Sequence, residues 1–303
     1  MKIGRAGADF NDMGRIAISI LRYVAGLAAV LLLAGLAGAT LVRLAPGFDA
    51  DERELDARLG SETIAALRAE RAGESNIVLY YWSFLARLVR GDLGESRSLR
   101  QPVAGLLAER APVTARLAGA GLAAGWAAGL ALALVVSLGR IPGADLAAGA
   151  ATGAFLCVPV ALLAFAVLYW DGPIWICVAA SIFPRVFRYT RNAIGEAAGA
   201  MHVLSARSRG VPGWVVAIRH VLPPVVPQTV ALAGATVSAA LGSAVPVEVL
   251  GDVPGIGQLV WKAASGRDLP VLVSLTLLVT AVTLAGNAMA DGVLALSRRG
   301  KAS

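Results

Sequence analysis

Leu117–Leu138 reads LAGAGLAAGWAAGLALALVVSL, an apolar stretch without a single charged residue. As a helix it would extend about 33 Å, enough to cross the ~30 Å hydrocarbon layer of a bilayer. Four other uncharged runs reach a similar length: Tyr23–Val42, Leu146–Trp170, Val225–Val247 and Leu269–Ala290. A sixth, Gly172–Pro184, is short alone. It reaches spanning length only when extended to about Asn192, with Arg185, Arg188 and Arg191 snorkelling toward headgroups and Pro184 bending the helix. The expected fold is all-α, a polytopic membrane protein with about six transmembrane helices.

Composition agrees. Of the 303 residues, 57% are hydrophobic, and mean hydropathy is +0.70, too apolar for a chain whose surface meets water. The net charge of +7 does not point to nucleic acid, because the excess base sits in short segments beside apolar runs. Cys157 and Cys177 both lie inside such runs, which suits buried thiols rather than a disulfide framework or metal site. Ala37-Gly38-Ala39 resembles a signal-peptide cleavage site, but the apolar core before it is longer than a secretory leader's.

Charge asymmetry orients the chain. With the N-terminus cytoplasmic, the inside segments are Met1–Arg22, Gly139–Asp145, Arg185–Pro224 and the tail after Leu296, which hold many arginines and few acids. The C-terminus is then cytoplasmic too. The expected organisation is a cytoplasmic segment 1–22, a first transmembrane helix 23–44, an extracytoplasmic helical insertion 45–111, a five-helix core 112–298 and a tail 299–303. Within the insertion the periodicity predicts helices over Asp51–Leu59, Glu62–Arg71 and Ile77–Val89, then a turn at Gly91–Gly94. Tyr80, Tyr81, Trp82 and Phe84 suit either a membrane interface or the insertion's own core. Small residues at helical spacing form two ridges for close helix packing, Gly121/Gly125/Gly129 and Gly234/Ser238/Gly242.

The loop 192–224 is long and ordered. Glu196–Arg209 reads as a helix, Gly210 as its left-handed cap, and Pro212 as the start of a second helix, Gly213–Leu222, closed by Pro223 and Pro224. Spacing alone leaves two readings: a rigid elbow that transmits force to a soluble partner, or an amphipathic segment lying on anionic membrane lipid.

Ser205-Ala206-Arg207-Ser208-Arg209-Gly210, nine residues, then His220-Val221-Leu222-Pro223 resembles the EAA loop of binding-protein-dependent ABC importer permeases. Ala206, Gly210, Leu222 and Pro223 match. Leu204 stands where the family carries Glu, and His220 where it carries Ile. Further fragments are similar to the dipeptide, oligopeptide and nickel branch: Arg43-Leu44-Ala45-Pro46-Gly47; Gly91-Asp92-Leu93-Gly94-Glu95-Ser96; Glu109-Arg110-Ala111-Pro112-Val113-Thr114; Val247-Glu248 with Pro254-Gly255-Ile256-Gly257; and Arg267-Asp268-Leu269-Pro270. Asn287 and Asp291 fall near a C-terminal N…D pattern.

The resemblance implies half of a translocation pathway in the bacterial inner membrane, for a short peptide, nickel or another small solute. It implies a homologous second permease subunit, cytoplasmic ABC ATPase subunits docked on the loop, and an extracytoplasmic substrate-binding protein. Ser205, Ala206, Arg207, Arg209, Gly210, Leu222 and Pro223 would form the coupling loop. Glu248, Pro254, Gly255 and Gly257 would belong to the outer segment of the pathway.

The chain carries no G-x-x-x-x-G-K-[ST], so ATP is expected only on partner subunits and no cofactor on this chain. No catalytic residue and no metal ligand is expected either; His202 and His220 read as solvated or packing residues. A stand-alone secondary transporter is the competing reading. It would place ionisable groups at the bilayer midplane, where the five long runs have none.

Overall fold

The computed structural model describes residues 3–44, 77–139 and 142–299. The expected helices Asp51–Leu59 and Glu62–Arg71 lie outside the described residues. The architecture is helical throughout: α1 (Ile3–Leu44), α2 (Ile77–Leu88), α3 (Val103–Gly139), α4 (Ala144–Cys157), α5 (Val160–Tyr169), α6 (Trp175–Ala198), α7 (Met201–Ser208), α8 (Gly213–Val216), a π-helical turn (Ala217–Val221), α9 (Leu222–Leu250), α10 (Ile256–Ser265) and α11 (Leu269–Arg299). Among the described residues, four segments are long and apolar enough to cross a membrane, Leu21–Leu41, Val103–Gly139, Gly213–Leu250 and Leu269–Ala295, and a bent pair of helices makes a fifth if it counts as one span.

Two expected spans differ from the sequence reading. Leu146–Trp170 is not one straight helix. It is the pair α4 and α5, bent by 93° at Val158-Pro159. Pro159 has no N–H to give Phe155, and the Phe155 carbonyl accepts Val158 N–H instead at 3.3 Å. The other is α6, which runs unbroken through Pro184 for 24 residues, about 36 Å. It is strongly two-faced. Cys177, Val178, Ile182, Val186, Phe187, Ala193 and Ile194 are buried, while Arg185 and Arg188 are exposed on the other side.

Contacts divide the chain into two compact units, 1–103 with 266–281, and 104–265 with 282–303. In the first, Tyr80, Tyr81 and Phe84 of α2 pack with Ala39 of α1 and Leu269, Val273 and Leu277 of α11. Tyr81 Oη donates to the Leu32 carbonyl at 2.8 Å. Trp82 lies on the opposite face and is exposed, so the aromatic cluster divides between the unit's own core and its surface. Gly91 and Gly94 both take positive φ in the turn that follows. Asp268 caps α11 from a fully buried position: its Oδ2 accepts from Ser96 Oγ (2.6 Å) and from Ser98 N (3.0 Å) and Oγ (2.8 Å). Two sequence fragments 172 residues apart are thus one structural node.

In the second unit, α9 packs along α6 with α10 and α5 against it, and Leu117, Ala164, Cys177, Val178, Ile182, Ala240, Ala244 and Val247 form its core. The small-residue ridge of α3 receives α6. A Cβ on Gly125 would stand 2.8 Å from Ile182 Cβ and 3.0 Å from the Ala179 carbonyl, and one on Gly129 would stand 2.8 Å from the Phe183 carbonyl. Gly121 meets Val178 in the same way. On α9, Gly234 abuts Asn287 of α11, and Ser238 Oγ donates back to the Gly234 carbonyl. Gly242 departs from that ridge: it is exposed and nothing lies within 4 Å of its would-be Cβ.

Candidate functional site

The loop between α6 and α9 folds as an elbow. The expected helix Glu196–Arg209 is in fact two, because α6 stops at Ala198 and Ala200 is extended (φ −67°, ψ 145°) before α7 begins at Met201. Gly199 and Ala200 supply the break. At its far end α7 closes on Gly210, whose φ is +75°. Gly210 N donates to the Arg207 carbonyl (3.0 Å) and Val211 N to the Ala206 carbonyl (3.3 Å). These are the two bonds of a Schellman cap, which needs a left-handed residue between them. Pro212 then starts α8 from an extended conformation.

The second helix does not close at Pro223 and Pro224, as the sequence had suggested. It continues through the π turn into α9 for 29 residues. Two features make the prolines harmless. They stand side by side just after the wide turn, so the ladder lacks only two adjacent amide donors at that point. The His220 carbonyl, which Pro224 cannot serve, accepts from the His202 ring Nε2 at 3.2 Å. The two imidazoles lie face to face, 6.5 Å apart.

The elbow has a small apolar core of Ala193, Ile194, Val203, Ala206, Val216, Val221 and Val225. Ala206 is fully buried, Leu222 is half-buried, and Ser205, Arg207, Arg209, Gly210 and Pro223 are exposed. The outer surface also carries apolar bulk: Met201 is 82% exposed, Trp214 71% and Ile218 57%, with Leu204 beside them. Apolar side chains this open, flanked by cations, form a surface suited to being covered. Nearby, Arg191 of α6 pairs with Asp145 at the start of α4, Nε to Oδ1 at 2.6 Å.

At the other end of α9, the structure brings Glu248, Gly255 and Gly257 together. Glu248 is fully buried. Its Oε1 accepts from Thr114 Oγ1 at 2.6 Å, and its Oε2 from Gly257 N at 2.6 Å and Gln258 N at 3.3 Å. Thr114 Oγ1 in turn accepts from Ile256 N at 2.7 Å. A Cβ on Gly255 would overlap the carboxylate, so glycine there is a steric condition for the node. Arg110 Nη1 donates to Gln258 Oε1 (3.1 Å), and Gln258 Nε2 to Asp252 Oδ1 (2.7 Å). Pro254 is exposed beside them. Thr114, Arg110 and Gln258 are partners that the sequence reading did not assign. The available signal was a lone acid ending an apolar run, followed by two closely spaced glycines.

The description "binding-protein-dependent transport system inner membrane component" belongs to a family model that matches residues 121–302, a stretch covering the elbow and α9–α11. The chain belongs to that family. It is a multi-pass inner-membrane permease subunit of an importer, in a transport family rather than an enzyme class, whose systems include ATPase and substrate-binding partners. The permease is 28% identical over 300 residues to a putative peptide transport system permease protein of Brucella abortus, covering 90% of this chain and 95% of the relative. It is 27% identical over 255 residues to a putative peptide permease protein of Brucella ovis, covering 75% and 80%. The oligopeptide transport system permease protein OppB of Escherichia coli is 27% identical over 264 residues, covering 80% and 85%.

Proposed function

We propose that the permease forms half of a translocation pathway for short peptides, with a homologous second permease subunit forming the other half. Both termini and the elbow face the cytoplasm. An ABC ATPase docks on the elbow, and an extracytoplasmic binding protein delivers the solute. ATP is bound by the ATPase subunits, and this chain carries no cofactor. The single observation that carries the coupling role is the Gly210 cap. It fixes α7 against α8 and presents Met201, Leu204, Trp214, Arg207 and Arg209 outward. α8 continues through the π turn into α9, so a push on the elbow reaches a membrane-spanning helix directly. ATP binding then biases a two-state rocking of the permease halves. The peptide assignment is supported by the names of the Brucella and E. coli relatives, a peptide permease, a peptide transport permease and an oligopeptide transport permease.

The decisive experiment replaces Gly210 with Val. Inserted subunit at normal abundance, with uptake lost and ATPase stimulation lost, is the expected result. Wild-type uptake would assign the elbow to the lipid surface instead. Orientation is tested by Ser75→Cys and Ser205→Cys in a cysteine-free chain. The first should react with an impermeant thiol reagent on intact cells, and the second only after the membrane is opened.

A further inference from the structure

The break between α4 and α5 lies where a membrane protein can least tolerate irregular backbone. Measured along α4 from Asp145, it is about 20 Å into an apolar pair of helices bent by 93°; with Asp145 at the cytoplasmic face, as in the proposed orientation, that depth is inside a ~30 Å hydrocarbon layer. Among the described residues, the Leu156 and Cys157 carbonyls and the Val160 and Ala161 amides make no backbone bond across the break. Residues 154–159 are all exposed, with Phe155 touched at one edge by Phe183. Unsatisfied peptide groups facing lipid cost several kcal/mol each, and they persist at this depth only against protein or water.

A second, independent feature sits on α4 between Asp145 and the break. Arg188 of α6 is exposed, and its Nη1 is 3.7 Å from where a Cβ on Gly153 would stand, one turn before the break. Phe183, one turn earlier on α6, packs edge-on against Phe155 at 5.2 Å, which fixes α6 beside the break. A guanidinium on a membrane-length helix snorkels to headgroups or faces a bundle interior or a water-filled cavity. Arg188 reaches toward Gly153, further along α4 than the Arg191–Asp145 pair and so away from that end of the helix. Hydrocarbon lipid satisfies neither the open carbonyls nor this cation. A buried protein partner would have to supply donors for the carbonyls and an acid for the arginine together. Water satisfies both at once.

We infer that the α4–α5 break and Arg188 line the water-filled conduit of the permease, where the passing solute meets open backbone carbonyls on one side and a guanidinium on the other. The inference rests on the transport reading above and adds the wall of the path to it. A peptide, which carries amide donors and a terminal carboxylate, matches those two chemistries.

The native thiols provide the test. Cys157 lies at the break and is exposed, whereas Cys177 is buried in the core of the second unit. Right-side-out and inside-out vesicles holding the assembled transporter are treated with a cationic and an anionic methanethiosulfonate. Each reacts with a hydrated thiolate to form a mixed disulfide and release methanesulfinate, and peptide mass mapping locates the adduct. The expected result is modification of Cys157 and not of Cys177, faster with the anionic reagent. Arg188→Gln should lower the anionic-to-cationic rate ratio several-fold, and Arg188→Lys should keep it. Reaction of Cys157 only with an apolar maleimide, or only after denaturation, would overturn the inference in favour of lipid or a dry partner contact. An unchanged ratio in Arg188→Gln, in protein of normal abundance, would remove Arg188 from the conduit. Labelling does not require uptake, so a transporter that labels but fails to import peptides would sink the substrate reading alone.

Discussion

The two ends of α9 are held in opposite ways. At one end Glu248 is sealed from solvent and meets three donors, from Thr114, Gly257 and Gln258, so three helices are fastened through one carboxylate. At the other end the elbow depends on a glycine cap, a few small apolar contacts and exposed side chains. A buried carboxylate with matched donors resists displacement, because any movement strands charges and amides together. The elbow has no such penalty, and its strength lies in local backbone geometry. One helix is thus anchored at one end and free to be driven at the other.

The largest effect is expected from Glu248→Ala, which leaves the Gly257 and Gln258 amides and the Thr114 hydroxyl without their acceptor. At about 1–3 kcal/mol for each buried donor left stranded, it should cost several kcal/mol, read as a sharp fall in thermal stability of the detergent-solubilised complex. Glu248→Gln, which retains one carbonyl acceptor, should recover part of that loss. If Glu248→Ala melts like wild type, the anchored end of the comparison fails. Gly125→Leu comes next, since its side chain would collide with Ile182 and the Ala179 carbonyl; about 1–3 kcal/mol and reduced yield are expected.

Gly210→Val should cost less stability, on the order of 1–2 kcal/mol from the left-handed backbone, yet abolish uptake. A variant that loses stability and keeps coupling would reverse the contrast between the two ends. Arg207→Glu with Arg209→Glu should weaken ATPase assembly in a salt-dependent manner without altering the melt. Gly242→Ala should change nothing measurable, because its Cβ enters open space. A clear defect there would mean that this face of α9 meets another subunit.

How much of this was visible in the sequence depends on the range of the forces. Spans such as Leu117–Leu138 and the left-handed role of Gly210 are legible because hydrophobic length and a Gly-x-Pro stop are local signals. The break at Pro159 was not legible, because a proline inside a long apolar run is compatible with one kinked span, and only packing decides. The joining of Glu196–Arg209 into one helix failed at Gly199, where intrinsic propensity is weak and the core under Val203 and Ala206 sets the new direction. Glu248 was singled out, but its partner Thr114 lies 134 residues away, and no local pattern encodes that pairing. The same holds for Ser96 and Asp268.

The π turn at Ala217–Val221 has a consequence for descent. A single i→i+5 turn inside an α-helix is what remains when one residue is inserted into a regular helix and the surroundings absorb it. Removing one residue there would restore plain α-helical winding and leave everything downstream in register, because the wide turn spends the extra residue within a single revolution. Trp126 Nε1 would keep Thr236 as its acceptor, a bond now 3.0 Å long, and Gly234 would stay against Asn287. Homologues whose elbow is shorter by one residue at this turn can therefore present the same face of the helix to their neighbours with no compensating change further along it.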